Sequence, residues 1–425
     1  MKDLLLITPP FTQLNTPYPA TAYLKGFLNT KNISSYQIDL GIEVILEIFS
    51  KKGVTEIFNV KPKNLSENAH RIFALREEYI KTIDEVIAFL QNKKPTLARQ
   101  ICSMNFLPEA SRFNQLDDME YAFGNMGLQD KAKHLATLYL EDLSDYIVEN
   151  IDENFGFSRY AERLGRSANS FDELYEKLQS EKTFVDNFTV EILDKKLLET
   201  KPKLVCFSVP FPGNLYSAFR CAQYIKNHYP KIKTAFGGGF ANTELRDLKD
   251  KRVFEFFDFI TLDDGELPIE LLFENICHFE QSEESLFKRT FLLENGEVVY
   301  KNNSERHDYK QAEIGTPDYT DLPLDQYISV IEIANPMHSL WSDGRWNKLT
   351  MAHGCYWGKC TFCDISLDYI KIYEPIAAKI LVDRMQELIE KTGENGFHFV
   401  DEAAPPALMR EVALEILRRK LVVTW

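Results

Sequence analysis

The sequence predicts an α/β fold of two successive units, with a long helical segment inserted in the first. Three observations carry this. Short apolar runs closed by proline or glycine, such as "LVCFSV" between Pro202 and Pro210 and "IKTAFGGG", read as buried strands. Stretches with apolar residues at three- and four-residue spacing follow them. Strands then alternate with helices, which implies right-handed crossovers and a parallel sheet covered on both faces. Residues 62–200, in contrast, carry helical periodicity alone.

The first unit is expected to be discontinuous, residues 1–61 and 201–285. Leu4 to Thr8, closed by Pro9-Pro10, is its first strand; Tyr18 to Asn29 is a helix and "SYQIDL" a second strand. The insertion, residues 62–200, contains "ENAHRIFALREEYIKTIDEVIAFLQN", "QDKAKHLATLYLEDLSDYIVENI" and "SFDELYEKLQ", and is expected to pack as a helical cap, with substrate gating as the alternative. After "LVCFSV" come the helix "LYSAFRCAQYIKNHY", the strand "IKTAFGGG", a short helix "ELRDLKD", a strand "FEFFDFITL" and the helix "ELPIELLFENICHF". Residues 286–327 form a hairpin about Asn295-Gly296 and a proline-punctuated linker, "GTPDYTDLPLDQY". Residues 328–425 open a second βα pattern: "KLTMAHG", a cysteine loop, "AAKILVDRMQELIEKT", "GFHFVDE", "ALMREVALEILRRK" and "LVVTW". Trp341 and Trp346 flank the turn signal Asp343-Gly344 and read as a hairpin with packing aromatics.

At 425 residues, 44% hydrophobic and 27% charged, the composition is that of a globular protein of two or three domains. No apolar run approaches the roughly 20 residues that span a bilayer, and the run after Met1-Lys2 is too short for a signal peptide. Seven cysteines, an odd number clustered in one place only, do not suggest a disulfide framework. A reducing, cytoplasmic setting is the expectation. A net charge of −15 argues against broad affinity for nucleic acid or anionic membrane.

The chemistry concentrates in "HGCYWGKCTFCD", His353 to Asp364. Cys355, Cys360 and Cys363 follow C-x4-C-x2-C on a strand-to-helix loop, the carboxyl edge where α/β barrels keep their active groups. An iron–sulfur cluster and zinc are the two centres such thiols hold. Structural zinc sites usually use two separated ligand pairs, and here there is one triplet; His353 lies too close to Cys355 for a common fourth ligand. Three thiols suit a [4Fe–4S] cluster with one open iron, with zinc or unliganded thiols as the alternatives.

That loop resembles the cluster loop of the radical S-adenosylmethionine (SAM) superfamily, in which C-x3-C-x2-C is common and an aromatic precedes the last cysteine. This sequence has one residue more between the first two cysteines. The resemblance implies that Cys355, Cys360 and Cys363 hold a [4Fe–4S] cluster and that SAM chelates the open iron. It places Phe362 near the adenine and Asp401 or Glu402, ending "GFHFVDE", on the SAM amine. Reductive cleavage of SAM to an adenosyl radical would follow, with electrons from a flavodoxin- or ferredoxin-type donor and a small-molecule or peptide substrate. Tyr356 and Trp357 could shield the cluster, and His398 reads as a core histidine.

The first unit is similar to the Rossmann-like cobalamin-binding-like domain that precedes many such barrels. The similarity runs through "LLLITPPF", "CFSVPFPGNLYSAFRCAQYIKNHYP", "TAFGGGFAN" and "DFITLDDGELPIELL". It implies cobalamin contacts at Ser208, Gly237, Gly238 and Gly239, on strand ends where glycine admits close approach. The D-x-H-x-x-G signature for cobalt is absent, and no histidine precedes His70. Glu266 in "DDGEL" reads as capping or starting a helix, a structural rather than a catalytic role. The implied activity is radical modification of a substrate, extending to C-methylation if cobalamin binds. The second unit would be the first part of a (β/α) TIM-type barrel, incomplete at Trp425, so full activity of this chain is not expected. Two rival readings stand beside it: a non-catalytic, zinc-bearing α/β binding protein, and a degenerate family member kept for protein contacts.

Overall fold

A computed structural model describes residues 2–62, 66–103, 106–118, 127–157, 159–166, 170–277, 285–331, 346–361, 363, 367–401 and 403–425. Its centre is a seven-stranded sheet in the order β2-β1-β3-β4-β5-β6-β7. The strands are β1 Leu4–Thr8, β2 Ser35–Asp39, β3 Leu204–Ser208, β4 Lys233–Gly237, β5 Phe259–Thr261, β6 Thr290–Glu294 and β7 Glu297–Lys301. The first five are parallel, in a doubly wound order that reverses between β1 and β3.

Side-chain alternation explains why both faces are buried. Leu5, Ile7, Val205, Phe207, Phe236 and Ile260 enter one apolar cluster; Leu4, Leu6, Leu204, Cys206 and Ala235 enter another. Helices α1 (Ala20–Thr30) and α4 (Glu266–Cys277) cover the second face with Phe27, Leu28, Ile269 and Leu272. Between them in sequence, α2 (Phe184–Thr200) and α3 (Pro212–His228) cover the first.

The inserted helices, among them Arg76–Leu90 and Gly127–Asn150, join the first cluster and are continuous with the core. The loop that follows Gly127–Asn150 fills the crevice at the order reversal. Phe11, beyond β1, meets Phe155 and Tyr160 edge-on, with ring centroids 5.9 and 5.7 Å apart. The Asn214 amide of α3 donates to the Phe11 carbonyl at 2.6 Å. A buried ion pair, Arg220 to Asp186 at 3.0 Å, ties α3 to α2, and Asp186 closes a capping box with Thr183.

The hairpin about Asn295-Gly296 forms with both residues at positive φ, 52° and 81°. It pairs antiparallel with β5 and so extends the main sheet instead of standing with the linker. Two expectations within the first unit need correction. "FEFFDFITL" yields only three strand residues, after a 3-10 turn at Lys251–Glu255. Phe256 and Phe257 both turn inward onto Phe219, at 5.3 and 5.0 Å, which strand alternation forbids for neighbours. The short helix expected at "ELRDLKD" lies earlier, at Gly239–Glu244, directly after the left-handed Gly238.

The proline-rich linker is strapped down. Lys25 pairs with Asp321, Asn29 donates to Asp318 at 2.7 Å, and Tyr327 donates to Asp39 at 2.8 Å. Burial raises the Asp39 pKa to about 6.

In the second unit, β8 (Asn347–Leu349) and β11 (Phe397–Phe399) are parallel, and β9 (Ala352–His353) pairs antiparallel with β10 (Glu374–Pro375). "LVVTW" adds one parallel bridge, Thr424 to Gly396, in place of a full strand. Helices α5 (Ala378–Thr392) and α6 (Pro406–Arg419) cover one face, where Leu349, Met351 and Phe397 meet Leu381, Met385 and Val412. Trp341, Asp343 and Gly344 lie outside the described residues. Among those described, no helix is long and apolar enough to cross a membrane.

Candidate functional site

The cysteine loop leaves the second unit at the carboxyl end of β8. Its two stems are the paired strands β9 and β10, with His353 opposite Glu374. Gly354 opens the loop at φ 74°, and a Cβ there would lie 1.7 Å from the Ile372 carbonyl oxygen. Only glycine allows the outgoing and returning chains to approach this closely.

Asp401, just past β11, fixes the same stem from the other side. Its carboxylate accepts the Met351 amide at 2.8 Å and the Ala352 amide at 2.9 Å. Burial raises its pKa, and these amide hydrogen bonds partly offset the rise. Asp401 is therefore a positioning residue for the loop. Asp401→Asn should cost about 2 kcal/mol, because one amide is left facing a donor. Urea unfolding measures this, and an unchanged midpoint would refute the role.

Cys355 is half-buried, Cys360 and Cys363 are exposed, and all three are free thiols. Among the described residues, no three histidine, cysteine or acidic side chains converge as a metal-holding group. Phe362 and Glu402 lie outside the described residues. Tyr356 and Trp357 are 43% and 55% exposed; the Lys359 ammonium lies 5.7 Å from the Trp357 ring centre, and Tyr373 approaches Tyr356 edge-on. They stand on the loop's outer side rather than as a closed cover.

The loop stem abuts the first unit. The Thr350 amide donates to the Tyr23 hydroxyl at 2.8 Å, and His353 Nε2 lies 3.4 Å from Asp264 Oδ1. Asp264 belongs to a cavity of about 230 Å³ at the carboxyl edge of the main sheet. Of the residues expected to contact cobalamin, Ser208, Gly237 and Gly238 line it; Gly239 instead starts the next helix.

The glycines have protein reasons as well. A Cβ on Gly237 would meet Thr261 Oγ1 at 2.7 Å, and one on Gly239 would meet the Pro210 carbonyl at 2.8 Å. Gly238, at φ 100°, lies against the Val209 backbone.

Sequence reasoning missed Thr21, Asp263 and Asp264, which also line the cavity, and gave Glu266 a structural role at the helix start rather than a place in the cavity wall. Glu266 does begin α4, but its carboxyl is pushed up to about 7, first by burial and then by the neighbouring Asp264 charge. Three acidic residues within four positions after a strand was the available signal.

The His398 pKa is lowered by burial and by Lys348, opposite it in register. Compared with known proteins, the chain matches no family model and no curated sequence.

Proposed function

We propose that the chain is a radical SAM protein that holds a [4Fe–4S] cluster on Cys355, Cys360 and Cys363. One observation carries this reading. Three free thiols share a single loop whose stems are pinned by β9–β10 pairing and by Asp401, at the carboxyl end of a parallel strand pair. The donor set fits the group: soft thiolates suit iron–sulfur clusters, and three of them leave one iron for a ligand. When bound, the cluster supplies one-electron reduction of the SAM sulfonium.

The chain's own part is positional. Asp401 sets the backbone that enters the loop, Gly354 lets the loop close, and the His353–Asp264 contact holds it against the first unit. Because both Asp401 oxygens are occupied by amides, Glu402 is the better candidate for the SAM amine. A cytoplasmic location, a small-molecule or peptide substrate and an external flavodoxin- or ferredoxin-type donor belong to the same reading. The second unit is read as the opening part of a (β/α) barrel and the first as a cobalamin-binding-like domain.

Cobalamin itself does not fit the residues present. A cavity of about 230 Å³ encloses no corrin, and no histidine lines it. The nucleotide tail of cobalamin carries a phosphodiester anion, and the wall offers Asp263, Asp264 and Glu266. No step is derived through it.

Anaerobic reconstitution with iron and sulfide, followed by metal analysis and low-temperature EPR, tests the proposal. The expected result is a brown protein with about four irons per chain, an EPR signal that SAM alters, and loss of both in Cys355→Ala. A colourless protein with stoichiometric zinc would establish the rival binding-protein reading. An intact cluster indifferent to SAM would mark a degenerate member.

A further inference from the structure

We propose that the cavity at the carboxyl edge of the main sheet binds a small organic cation with an apolar body, its charge paired with Glu266 and Asp264. The inference does not rest on the cluster, because every lining residue belongs to the first unit.

Size and lining set the body of the ligand. About 230 Å³ falls below the roughly 300–1,000 Å³ of pockets for drug-sized molecules, so a single ring or short chain fits. Leu6, Leu24, Cys206, Phe236 and Ile269 give it apolar walls.

Charge sets the head. Asp263 is engaged by Arg246 and lies 3.5 Å from Arg289, and Arg289 grips Asp308 through two hydrogen bonds of 2.7 Å. Those two guanidinium groups are thereby committed. Asp264 has His353 at 3.4 Å, and Arg289 donates to its backbone carbonyl at 3.2 Å; the Arg289 charge also acts on Glu266, but among the described residues Glu266 forms no ion pair. The amino ends of α1 and α4 also line the cavity, each worth about half a positive charge. Four carboxylates against two arginines and two helix ends still leave an excess of about one negative charge when all four are ionised. The Glu266 pKa, pushed up to about 7 first by burial and then by the Asp264 charge, would fall beside a bound cation, which favours the ionised carboxylate.

An independent observation points to a ligand. Thr21, 1% exposed on the cavity wall, has a buried Oγ1 with no hydrogen-bond partner. Native structures rarely leave such a group unmatched. The hydroxyl is closed to solvent where it stands, so an N–H donor in the cavity would satisfy it after rotation of the Thr21 side chain.

Three probes of nearly equal size separate the chemistries: benzamidine, benzamide and benzoate, titrated by calorimetry against the full chain without iron. Benzamidine is expected to bind at least about tenfold more tightly than benzamide, and benzoate not at all. Glu266→Gln should remove about tenfold from benzamidine affinity and little from benzamide. Thr21→Val should weaken benzamidine while raising the melting temperature of the ligand-free protein, since it deletes an unmatched hydroxyl. Preference for benzoate, no binding by any probe, or an unaltered benzamidine affinity in Glu266→Gln would overturn the proposal. None of these outcomes depends on whether the cysteine loop takes iron.

Discussion

Lys348→Met is expected to stabilise the protein. Lys348 sits on β8 with only 9% of its surface exposed, and burial lowers its pKa to about 8. Its strand neighbours Asn347 and Leu349 are buried too, and Leu349 packs toward the helices, so alternation sends Lys348 to the opposite face. Among the described residues no carboxylate pairs with it. The folded pKa is below the unfolded value of 10.5, so the folded state holds the proton less tightly. The penalty is complete at pH 7 and amounts to roughly 3 kcal/mol. Wild-type stability should therefore rise between pH 8 and 10.5, as the folded state sheds a proton that the unfolded chain keeps. Methionine fills similar space without the charge. Urea unfolding at pH 7 and 9.5 measures both effects. A variant less stable than wild type, or a flat wild-type profile, would contradict the assignment.

Gly354→Ala carries the second large effect, in the opposite direction. Alanine resists φ 74°, and its methyl would overlap the Ile372 carbonyl, a backbone atom with little freedom to move. A cost of at least about 3 kcal/mol is expected, combining left-handed strain with the displacement of the returning chain. The β9–β10 pairing should be lost first, so hydrogen exchange at Ala352 and Glu374 should accelerate before the α5–α6 core is affected. Exchange rates equal to wild type would show that the loop does not need this approach.

The parts of the fold legible in the sequence were those where one local rule decides. Leu4–Thr8 and Leu204–Ser208 are apolar up to their last residue, and buried throughout, because both sheet faces are covered. Asn295-Gly296 fixed its hairpin because both residues tolerate positive φ. Where tertiary packing overrides periodicity, the reading failed: "FEFFDF" is strand-like in composition, yet Phe256 and Phe257 both turn onto Phe219. The same division holds at the site. The cysteine spacing is a local signal. The convergence of Thr21, Ser208, Asp264 and Glu266 on one cavity depends on pairing β1 with β3, and β3 with β4, in register, which no single stretch encodes. Asp401 is an intermediate case, since its place at a strand end was visible but the amides it holds, some 50 residues earlier in the chain, were not.

The β1–β3 ladder joins Leu4 to Leu204 across the entire helical insertion. Closing a loop of about 200 residues, instead of the 25 or so of an ordinary crossover, adds only about 2 kcal/mol, because closure entropy grows with the logarithm of length. The inserted helices bring Tyr79, Tyr139, Tyr146 and Leu143 into the shared core, an apolar gain far larger than that increment. The thermodynamic tolerance has a kinetic counterpart. The local units β3-α3-β4-β5 and β6-β7 need only short-range encounters, whereas β1 must find β3 across most of the first unit's length. High contact order of this kind slows folding, so the edge formed by β1 and β2 should be the last to acquire protection in pulse-labelling hydrogen exchange.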